Sequence, residues 1–248
     1  MAKLLEVCVD SLDSARAAIR GGADRLELCS ALAIGGLTPY TALLEQIRQE
    51  SNIPIRCLMR PRAGDFLYTK EEILQMARQI DVLHQAGASG FVIGCLTPDG
   101  DLDAAAMQPL LTASQGAGLT LHRCIDVSRD LAKTYLQAGE LGIDTVLTSG
   151  GAGNCRAGSL LIGKLLELHT QGGPEVLIGA GVNASVIEFF RTNFPEACCF
   201  HMSGKTEIES GMLFRREGIP MGIPGFDEWH IQQTSEDAVR RAKDVLNK

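Results

Sequence analysis

The chain has 248 residues, of which 45% are hydrophobic, 21% charged and 5% aromatic. This length and apolar content are typical of an ordinary globular protein that folds around its own core without a disulfide or a metal. The net charge of -7 and the pI of about 5.3 argue against a nucleic-acid partner, because nucleic-acid-binding proteins usually carry a basic face.

The amino-terminal segment and the cysteines predict the compartment. Glu6 follows the start too closely for the apolar core of a signal peptide, and no apolar run approaches the roughly 20 residues of a membrane span. The eight cysteines are scattered and form no CxxC pair. We therefore expect reduced thiols, a cytoplasmic location and no membrane partner.

Eight short apolar runs alternate along the chain with eight longer segments of helical periodicity. The predicted strands are Leu4–Val9, Arg25–Cys29, Ile55–Arg60, Phe91–Gly94, Leu119–Arg123, Thr145–Thr148, Val176–Ile178 and Ala197–Met202. The predicted helices are Ser11–Arg20, Tyr40–Glu50, Lys70–Gln85, Asp103–Gly116, Asp130–Leu141, Ser159–Thr170, Ala184–Asn193 and Ser235–Leu246.

These units predict an α/β fold, a single (β/α)8 TIM barrel of parallel strands with outer helices over residues 1–248. The rival fold is a doubly wound open sheet, which would require a G-x-G-x-x-G or P-loop turn after a strand. Neither motif follows a strand cleanly, so we also expect no nucleotide cofactor. Residues 204–233 are rich in Gly and Pro and are predicted to form a long loop, either functional or merely solvated.

Strand alternation places acids and thiols inside the predicted barrel. Glu6 and Cys8 share the inward phase of the first strand, and Glu27 and Cys29 share that of the second. Neighbouring strands should therefore set Glu6 near Glu27 and Cys8 near Cys29. The carboxylates could share a proton or bind a cation, or they could be structural acids paired with an inner arginine such as Arg25 or Arg60. Two thiolates on one face could hold Cu(I), although buried cysteines are usually small core residues.

Seven of the eight predicted strands end in polar, charged or glycine-rich residues, where TIM barrels bind substrates. The candidates for acid–base catalysis are Glu6, Glu27, Asp65, His122, Asp126 and His201. The candidates for anion or substrate binding are Arg60, Arg62, Arg123, Thr148, Ser149, Gly150, Gly179, Gly181 and Ser203. Each type also has a structural explanation, as a core histidine, a solvated arginine or an ordinary glycine turn.

Several ordered motifs resemble the CutC family, described as copper homeostasis proteins. They are Glu6-Val7-Cys8-Val9-Asp10-Ser11, Gly21-Gly22-Ala23-Asp24-Arg25-Leu26-Glu27-Leu28-Cys29, Gly35-Gly36-Leu37-Thr38-Pro39, Arg60-Pro61-Arg62-Ala63-Gly64-Asp65-Phe66-Leu67-Tyr68, His122-Arg123 with Asp126, Leu147-Thr148-Ser149-Gly150 and His201. The resemblance implies a cytoplasmic TIM barrel, a homodimer, and copper binding through Cys8 and Cys29. The chain departs from the family pattern at Ala63, Cys124-Ile125, Met202 and Gly204-Lys205.

Two functional hypotheses follow, and the sequence leaves both open. In the first, Cys8 and Cys29 bind or hand on Cu(I), the only cofactor or metal partner expected. In the second, the protein is an isomerase, lyase or aldolase acting on a small anionic metabolite, either phosphorylated or not. Arginines would then anchor the anion, Glu6 or Glu27 would act as the base, and His122 or His201 would act as the acid.

Overall fold

The computed structural model describes residues 3–219, 221–222 and 227–248. Eight parallel strands close into a barrel in sequence order, so the predicted TIM barrel is confirmed. These strands are β1 (Leu4–Val9), β2 (Arg25–Leu28), β3 (Ile55–Leu58), β4 (Gly90–Ile93), β5 (Gly118–Leu121), β6 (Thr145–Thr148), β7 (Glu175–Ile178) and β8 (Cys199–Met202).

Eight α-helices surround the barrel and cover its outward-facing aliphatic side chains. They are α1 (Leu12–Arg20), α2 (Thr41–Glu50), α3 (Lys70–Gln85), α4 (Ala104–Ala113), α5 (Leu131–Glu140), α6 (Ser159–Thr170), α7 (Ala184–Asn193) and α8 (Glu236–Asn247). Local sequence fixes several helix starts. The Ser11 side chain caps α1, and Thr69 with Glu72 forms a capping box that starts α3.

The strands β2, β3 and β5 end one or two residues earlier than predicted. Cys29, Arg60 and His122 therefore belong to the loops that follow these strands, and Arg123–Val127 forms a 3₁₀ helix. The prediction placed the strand ends too late because the apolar sequence pattern continues into these loops, whose residues still pack against the barrel. The polar side chains of the rim are consequently carried by turns that the barrel holds in place.

Register at the β1 seam determines which inner side chains meet. Glu6 lies opposite His201 of β8 on one side and opposite Arg25 of β2 on the other. In the register of β1 and β2, Glu27 and not Cys29 lies directly opposite Cys8. Strands in a closed barrel are staggered relative to their neighbours, and this stagger cannot be read from the alternation of a single strand.

The segment predicted as a loop over residues 204–233 carries two strands, which corrects that prediction. Strands β9 (Lys205–Glu209) and β10 (His230–Thr234) pair antiparallel outside the barrel. The hairpin is attached to the barrel where the Thr234 backbone N–H donates to Ser14 Oγ at 3.1 Å. Large apolar side chains, including Leu213, Phe214 and Met221, are exposed beyond the strands. The sequence did not predict these two strands, because neither face of the hairpin is buried in a core and β9 therefore lacks an apolar face.

Across the part of the chain that the structure describes, the helices are all too short or too polar to traverse a lipid bilayer.

Candidate active site at the carboxyl end of the barrel

A cavity of about 420 Å³ opens at the carboxyl ends of the strands. Its walls bring together residues from seven strand ends, all except that of β4, and from the start of the hairpin. Its polar lining residues are Cys8, Glu27, Arg60, His122, Arg123, His201, Ser203 and Lys205, with Gly181 in the turn after β7. The predicted convergence of acids, arginines and histidines is thus found for part of the predicted set.

A buried charged triad underlies one wall of the cavity. Glu6 is fully buried, and it accepts hydrogen bonds from Arg25 Nε and from His201 Nδ1, the latter at 2.8 Å. Burial alone would raise the pKa of Glu6, but the charges of Arg25 and His201 outweigh it and lower the pKa to about 2. Glu6 is therefore a permanent carboxylate that orients its two partners, and Arg25 is the inner arginine expected for a structural acid.

His201 carries positive charge in this triad. Burial acts to lower the pKa of His201, but Cys8, Glu27 and Glu6 around it raise the pKa well above its usual value. The Nδ1–H donates to Glu6, so the orientation of the ring is fixed. His201 thus brings an imidazolium to the wall of the cavity.

Glu27 is the titrating acid of the cavity. Burial raises the pKa of Glu27 to about 7, the charge of Glu6 adds to this, and His201 and Arg25 oppose it. Its Oε2 is buried and accepts no hydrogen bond from any residue that the structure describes. One ligand atom each of Glu6, Glu27 and His201 lie within 4.8 Å of one another, so the predicted proximity of the two carboxylates is confirmed. These three groups could also hold a cation.

His122 faces the cavity as a neutral ring. Its Nδ1 accepts a hydrogen bond from the Cys124 backbone N–H at 3.2 Å, so the proton of the neutral ring is on Nε2. Burial lowers the pKa of His122 to about 3, and the charge of Arg60 lowers it further. Nε2 is buried and has no partner among residues 3–219, 221–222 and 227–248. His122 therefore offers an unused N–H donor.

Two neighbours hold the His122 ring in place. Phe66 packs against it with 4.7 Å between ring centroids. At Gly94 a Cβ atom would lie only 2.6 Å from His122 Cε1 and 2.5 Å from Cys124 Sγ. The end of β4, which lacked a polar residue in the sequence, thus contributes by leaving space for this ring.

Arg60 is the arginine of the β3–α3 loop that lines the cavity. Its Nη1 donates to the carbonyls of Ile34 and Gly36, both at 3.2 Å, and its Nη2 donates to Gly64 at 2.9 Å. The Nε–H is buried and without a partner within the described chain. The guanidinium also lies 5.3 Å from the centroid of Phe66. Backbone carbonyls thus orient the guanidinium, and no carboxylate of the described residues pairs with it.

Asp126 forms a closed network next to the cavity. Its carboxylate accepts hydrogen bonds from the Thr148 hydroxyl, from the backbone and hydroxyl of Ser149, and from the Gly151 backbone. Arg123 Nε donates to it at 2.7 Å. Thr148 also accepts from the Gly150 backbone N–H. The backbone amides predicted to bind an anion are therefore partly occupied by Asp126, and Arg123 alone of this network lines the cavity.

Four other predicted site residues lie outside the cavity lining. Arg62 pairs with Glu72 at 2.7 Å and with the exposed Asp65 at 3.0 Å, so this arginine is tied to the capping box of α3. Gly179 packs against Leu147 and His201. Cys29 is fully buried with Leu58 and Val92, and its thiol donates to the Val9 carbonyl at 3.5 Å.

Two features of the cavity were not anticipated from the sequence. Lys205, the first residue of β9, lines the cavity because the hairpin starts directly at its edge. Ala180, after β7, lines it with a φ of 72°, a left-handed backbone that costs a residue with a Cβ about 1–3 kcal/mol. A polar residue right after a strand is a readable signal for Lys205, but nothing in the sequence marks the Ala180 backbone.

The closed parallel barrel defines a TIM-barrel protein, and its charged cavity lies at the carboxyl ends of the strands, where proteins of this fold usually bind ligands. Residues 3–204 match the family model of the CutC family. The chain belongs to the CutC family, as its sequence motifs predicted.

CutC family proteins of other bacteria are similar to this chain over nearly its whole length. It is 39% identical over 249 residues to a CutC family protein of Vibrio campbellii, with 98% of each chain covered. It is 37% identical to one of Chromobacterium violaceum, with 100% of each chain covered. A crystal structure of CutC from Streptococcus agalactiae, for which a role in copper homeostasis has been suggested, superposes with a TM-score of 0.76 at 27% identity. The match covers 81% of this chain and 98% of that one.

Proposed function

We propose that the cavity binds a small anionic metabolite and that Glu27 transfers a proton to or from it. The observation that carries this proposal is a set of three buried polar atoms, each with no partner in the described part of the chain. They are Glu27 Oε2, Arg60 Nε and His122 Nε2, and all three residues line the same cavity. Buried polar groups are normally satisfied, so three open positions around one cavity are the signature of a polar ligand.

The charges around the cavity favour an anion. Arg60, Arg123, Lys205 and the His201 imidazolium line it, whereas Glu6 is neutralised behind the wall by Arg25. Arg123 is already paired with Asp126, whereas Arg60 is a half-buried cation with no carboxylate partner among the described residues. A phosphate or carboxylate group accepting from Arg60 Nε–H and His122 Nε2–H would satisfy both donors.

The protonation states suit proton transfer beside a carbonyl or phosphate group. Glu27 has a pKa of about 7, so near neutrality it can both accept and release a proton. His122 stays neutral and donates its Nε2–H toward developing negative charge without giving up the proton. The reaction class that uses one such acid–base group and one neutral donor is an isomerase or a lyase with a carbanion-like intermediate.

A thermal-shift screen against phosphorylated and carboxylate metabolites tests the anion site. A ligand at 100 times its Kd should add about 2.7 kcal/mol to the free energy of unfolding of the wild type. We expect Arg60→Ala to abolish the shift, whereas Arg62→Ala, which removes a nearby arginine outside the cavity, keeps it. Glu27→Gln should retain the shift and lose turnover of any substrate found. Equal shifts in Arg60→Ala and Arg62→Ala would refute the anion site.

Copper handling is the second candidate, and one observation favours it. Cys8 lines the cavity next to His201 and Glu27, so a soft ion entering the mouth would meet a thiol and an imidazole. Cys29 fits such a site less well, because burial raises the pKa of its thiol well above the usual value and the thiol is committed to the Val9 carbonyl. Copper would be a cargo here rather than a cofactor of the proton transfer.

A Cu(I) competition assay with a chromophoric chelator tests this second candidate. We expect Cys8→Ser to weaken Cu(I) binding strongly, and Cys29→Ser to weaken it only if the loop after β2 opens. Unchanged affinity in the double variant would reject copper binding at these cysteines.

We further propose a cytoplasmic homodimer, as the family resemblance implies. Its mass in solution, measured by light scattering, should be twice the chain mass of 26.6 kDa.

A further inference from the structure

A second group of ligand atoms lies at the opposite end of the barrel from the cavity. Glu175 is the first residue of β7, Cys199 is the first residue of β8, and Cys198 immediately precedes it. These are the amino-terminal ends of the strands, so the group is separate from Glu27, His122 and Arg60 at the carboxyl ends. Neither of the two functions proposed for the cavity at the carboxyl ends uses these residues.

The three side chains point at a common centre. The two sulfur atoms lie 3.7 Å apart, and Cys198 Sγ lies 3.9 Å from Glu175 Oε1. One ligand atom from each residue falls within 4.8 Å of the other two. Both cysteines are buried, whereas Glu175 is partly exposed.

We propose that Cys198, Cys199 and Glu175 form a binding site for a thiophilic divalent cation of the zinc type. Tetrahedral zinc with Zn–S bonds of about 2.3 Å places two thiolates about 3.8 Å apart. A thiolate and a carboxylate oxygen on the same ion lie about 3.6 Å apart. The S–S distance and the distance from Cys198 Sγ to Glu175 Oε1 differ from these values by a few tenths of an ångström, so Cys198 needs little rearrangement relative to the other two ligands.

His169 lies beside Glu175, outside the group of three residues whose ligand atoms are all within 4.8 Å of one another. Its Nδ1 lies 3.1 Å from the Gly173 carbonyl, which can only accept, so Nδ1 carries a proton and donates it to this carbonyl. The other ring nitrogen, Nε2, lies 3.6 Å from Glu175 Oε1. A histidine oriented by a backbone carbonyl through its other nitrogen is the usual arrangement at zinc sites.

The three proposed ligands lie between apolar side chains on one side and a cavity through which an ion could enter on the other. Leu147 and Leu177 pack against the two cysteines inside the barrel, which excludes water from the thiolates. Cys198 also borders a cavity of about 330 Å³ that is lined by Lys3 and Arg191. Two thiolates and one carboxylate leave a divalent ion with one net negative charge, and these two cations reduce its cost. Binding releases the thiol protons to the solvent, and no electron is transferred.

Cadmium titration of the full-length, reduced protein tests the site, because each thiolate–cadmium bond adds a charge-transfer absorption in the ultraviolet. We expect one equivalent of Cd²⁺ to produce this absorption and to be displaced by Zn²⁺. Cys198→Ala with Cys199→Ala should abolish it, whereas Cys8→Ala with Cys29→Ala should preserve it. Glu175→Gln should weaken binding by about tenfold or more, since even residues that only orient ligands contribute this much.

Two outcomes would overturn the site. One is a wild type without saturable absorption, and the other is an absorption that survives loss of Cys198 and Cys199. If the double alanine variant does not fold, Glu175→Gln decides, because Glu175 is partly exposed and its amide keeps the shape of the side chain. Absorption that disappears instead in the Cys8 and Cys29 variant would assign the ion to the mouth.

Discussion

Two neighbouring regions at the carboxyl end of the barrel carry similar residues, but their polar atoms differ in whether they are hydrogen-bonded within the protein. On the side formed by β2, β3 and β5, Glu27, Arg60 and His122 each keep a buried polar atom without a partner in the described residues. Next to it, Asp126 of the 3₁₀ helix after β5 accepts hydrogen bonds from five donor groups, which belong to Thr148, Ser149, Gly151 and Arg123. An acid, an arginine and small polar residues at strand ends are therefore not enough to identify a ligand site.

The difference lies in which donors and acceptors the fold already satisfies. The Asp126 network holds a loop in shape, and its removal should cost stability. On the Glu27 side, the buried polar atoms without a partner lower the folding stability, and a ligand that hydrogen-bonds to them would raise it again. Substitutions in the two regions should therefore separate effects on stability from effects on binding.

The largest expected effect is at Asp126. Asp126→Ala leaves the buried Thr148 hydroxyl and the Ser149 backbone and hydroxyl without their acceptor, and each buried unsatisfied donor costs about 1–3 kcal/mol. We expect the free energy of unfolding, measured in urea, to fall by about 3–5 kcal/mol. A loss below about 1 kcal/mol would mean that the network is not structural, and the contrast with the Glu27 side would fail.

The next effect is a pH dependence at Glu27. Its pKa is about 7 in the folded protein against an ordinary 4.5, so between these values the folded chain binds more protons at this site than the unfolded chain does. The stability from this group is complete below about pH 4.5 and is lost as the pH rises through 7. Relative to Glu27→Gln, the wild type should lose up to about 3 kcal/mol across this window.

Urea unfolding of both proteins at several pH values measures this difference. Glu6→Gln is unsuitable as a control because it removes the partner of Arg25 and His201. The exposed Glu45→Gln serves instead, and it should show the pH profile of the wild type. A wild type whose stability relative to Glu27→Gln does not change between pH 4.5 and 7 would contradict the raised pKa.

A smaller effect is expected at Gly94. A Cβ there would collide with the His122 ring and with Cys124, and overpacking of this kind costs about 1–3 kcal/mol. Because the ring has to move, Gly94→Ala should also weaken anion binding, while Gly116→Ala, whose Cβ would meet nothing within 4 Å but whose φ is 80°, should affect stability alone. Unfolding curves and thermal shifts with ligand measure the two effects.

The smallest effect is expected at the surface pair of the β3–α3 loop. Asp65 is exposed, and exposed ion pairs contribute less than about 1 kcal/mol. Asp65→Ala should therefore leave both stability and anion binding close to wild type. A strong loss of binding would place Asp65 in the site, against its position in the structure.

The sequence was sufficient to predict the barrel, because eight apolar runs and eight amphipathic segments alternate without interruption. It was also sufficient to place Glu6, Glu27 and Cys8 inside, since strand alternation alone decides this. It could not predict that Glu27 and not Cys29 lies opposite Cys8, because the stagger of a closed barrel depends on all eight strands together. Nor could it show that Asp126 is fully hydrogen-bonded or that the hairpin brings Lys205 to the cavity.

The central claim is that the open donors of the mouth bind an anion, and nitrogen NMR of ¹⁵N-histidine-labelled protein tests it most directly. The His122 ring should appear as the neutral Nε2–H tautomer at pH 6. Added inorganic phosphate should shift its Nε2 resonance saturably, and Arg60→Ala should remove the response. A His122 resonance that is unmoved at saturating phosphate and across the metabolite panel, or one that titrates near pH 6.5, would contradict the account.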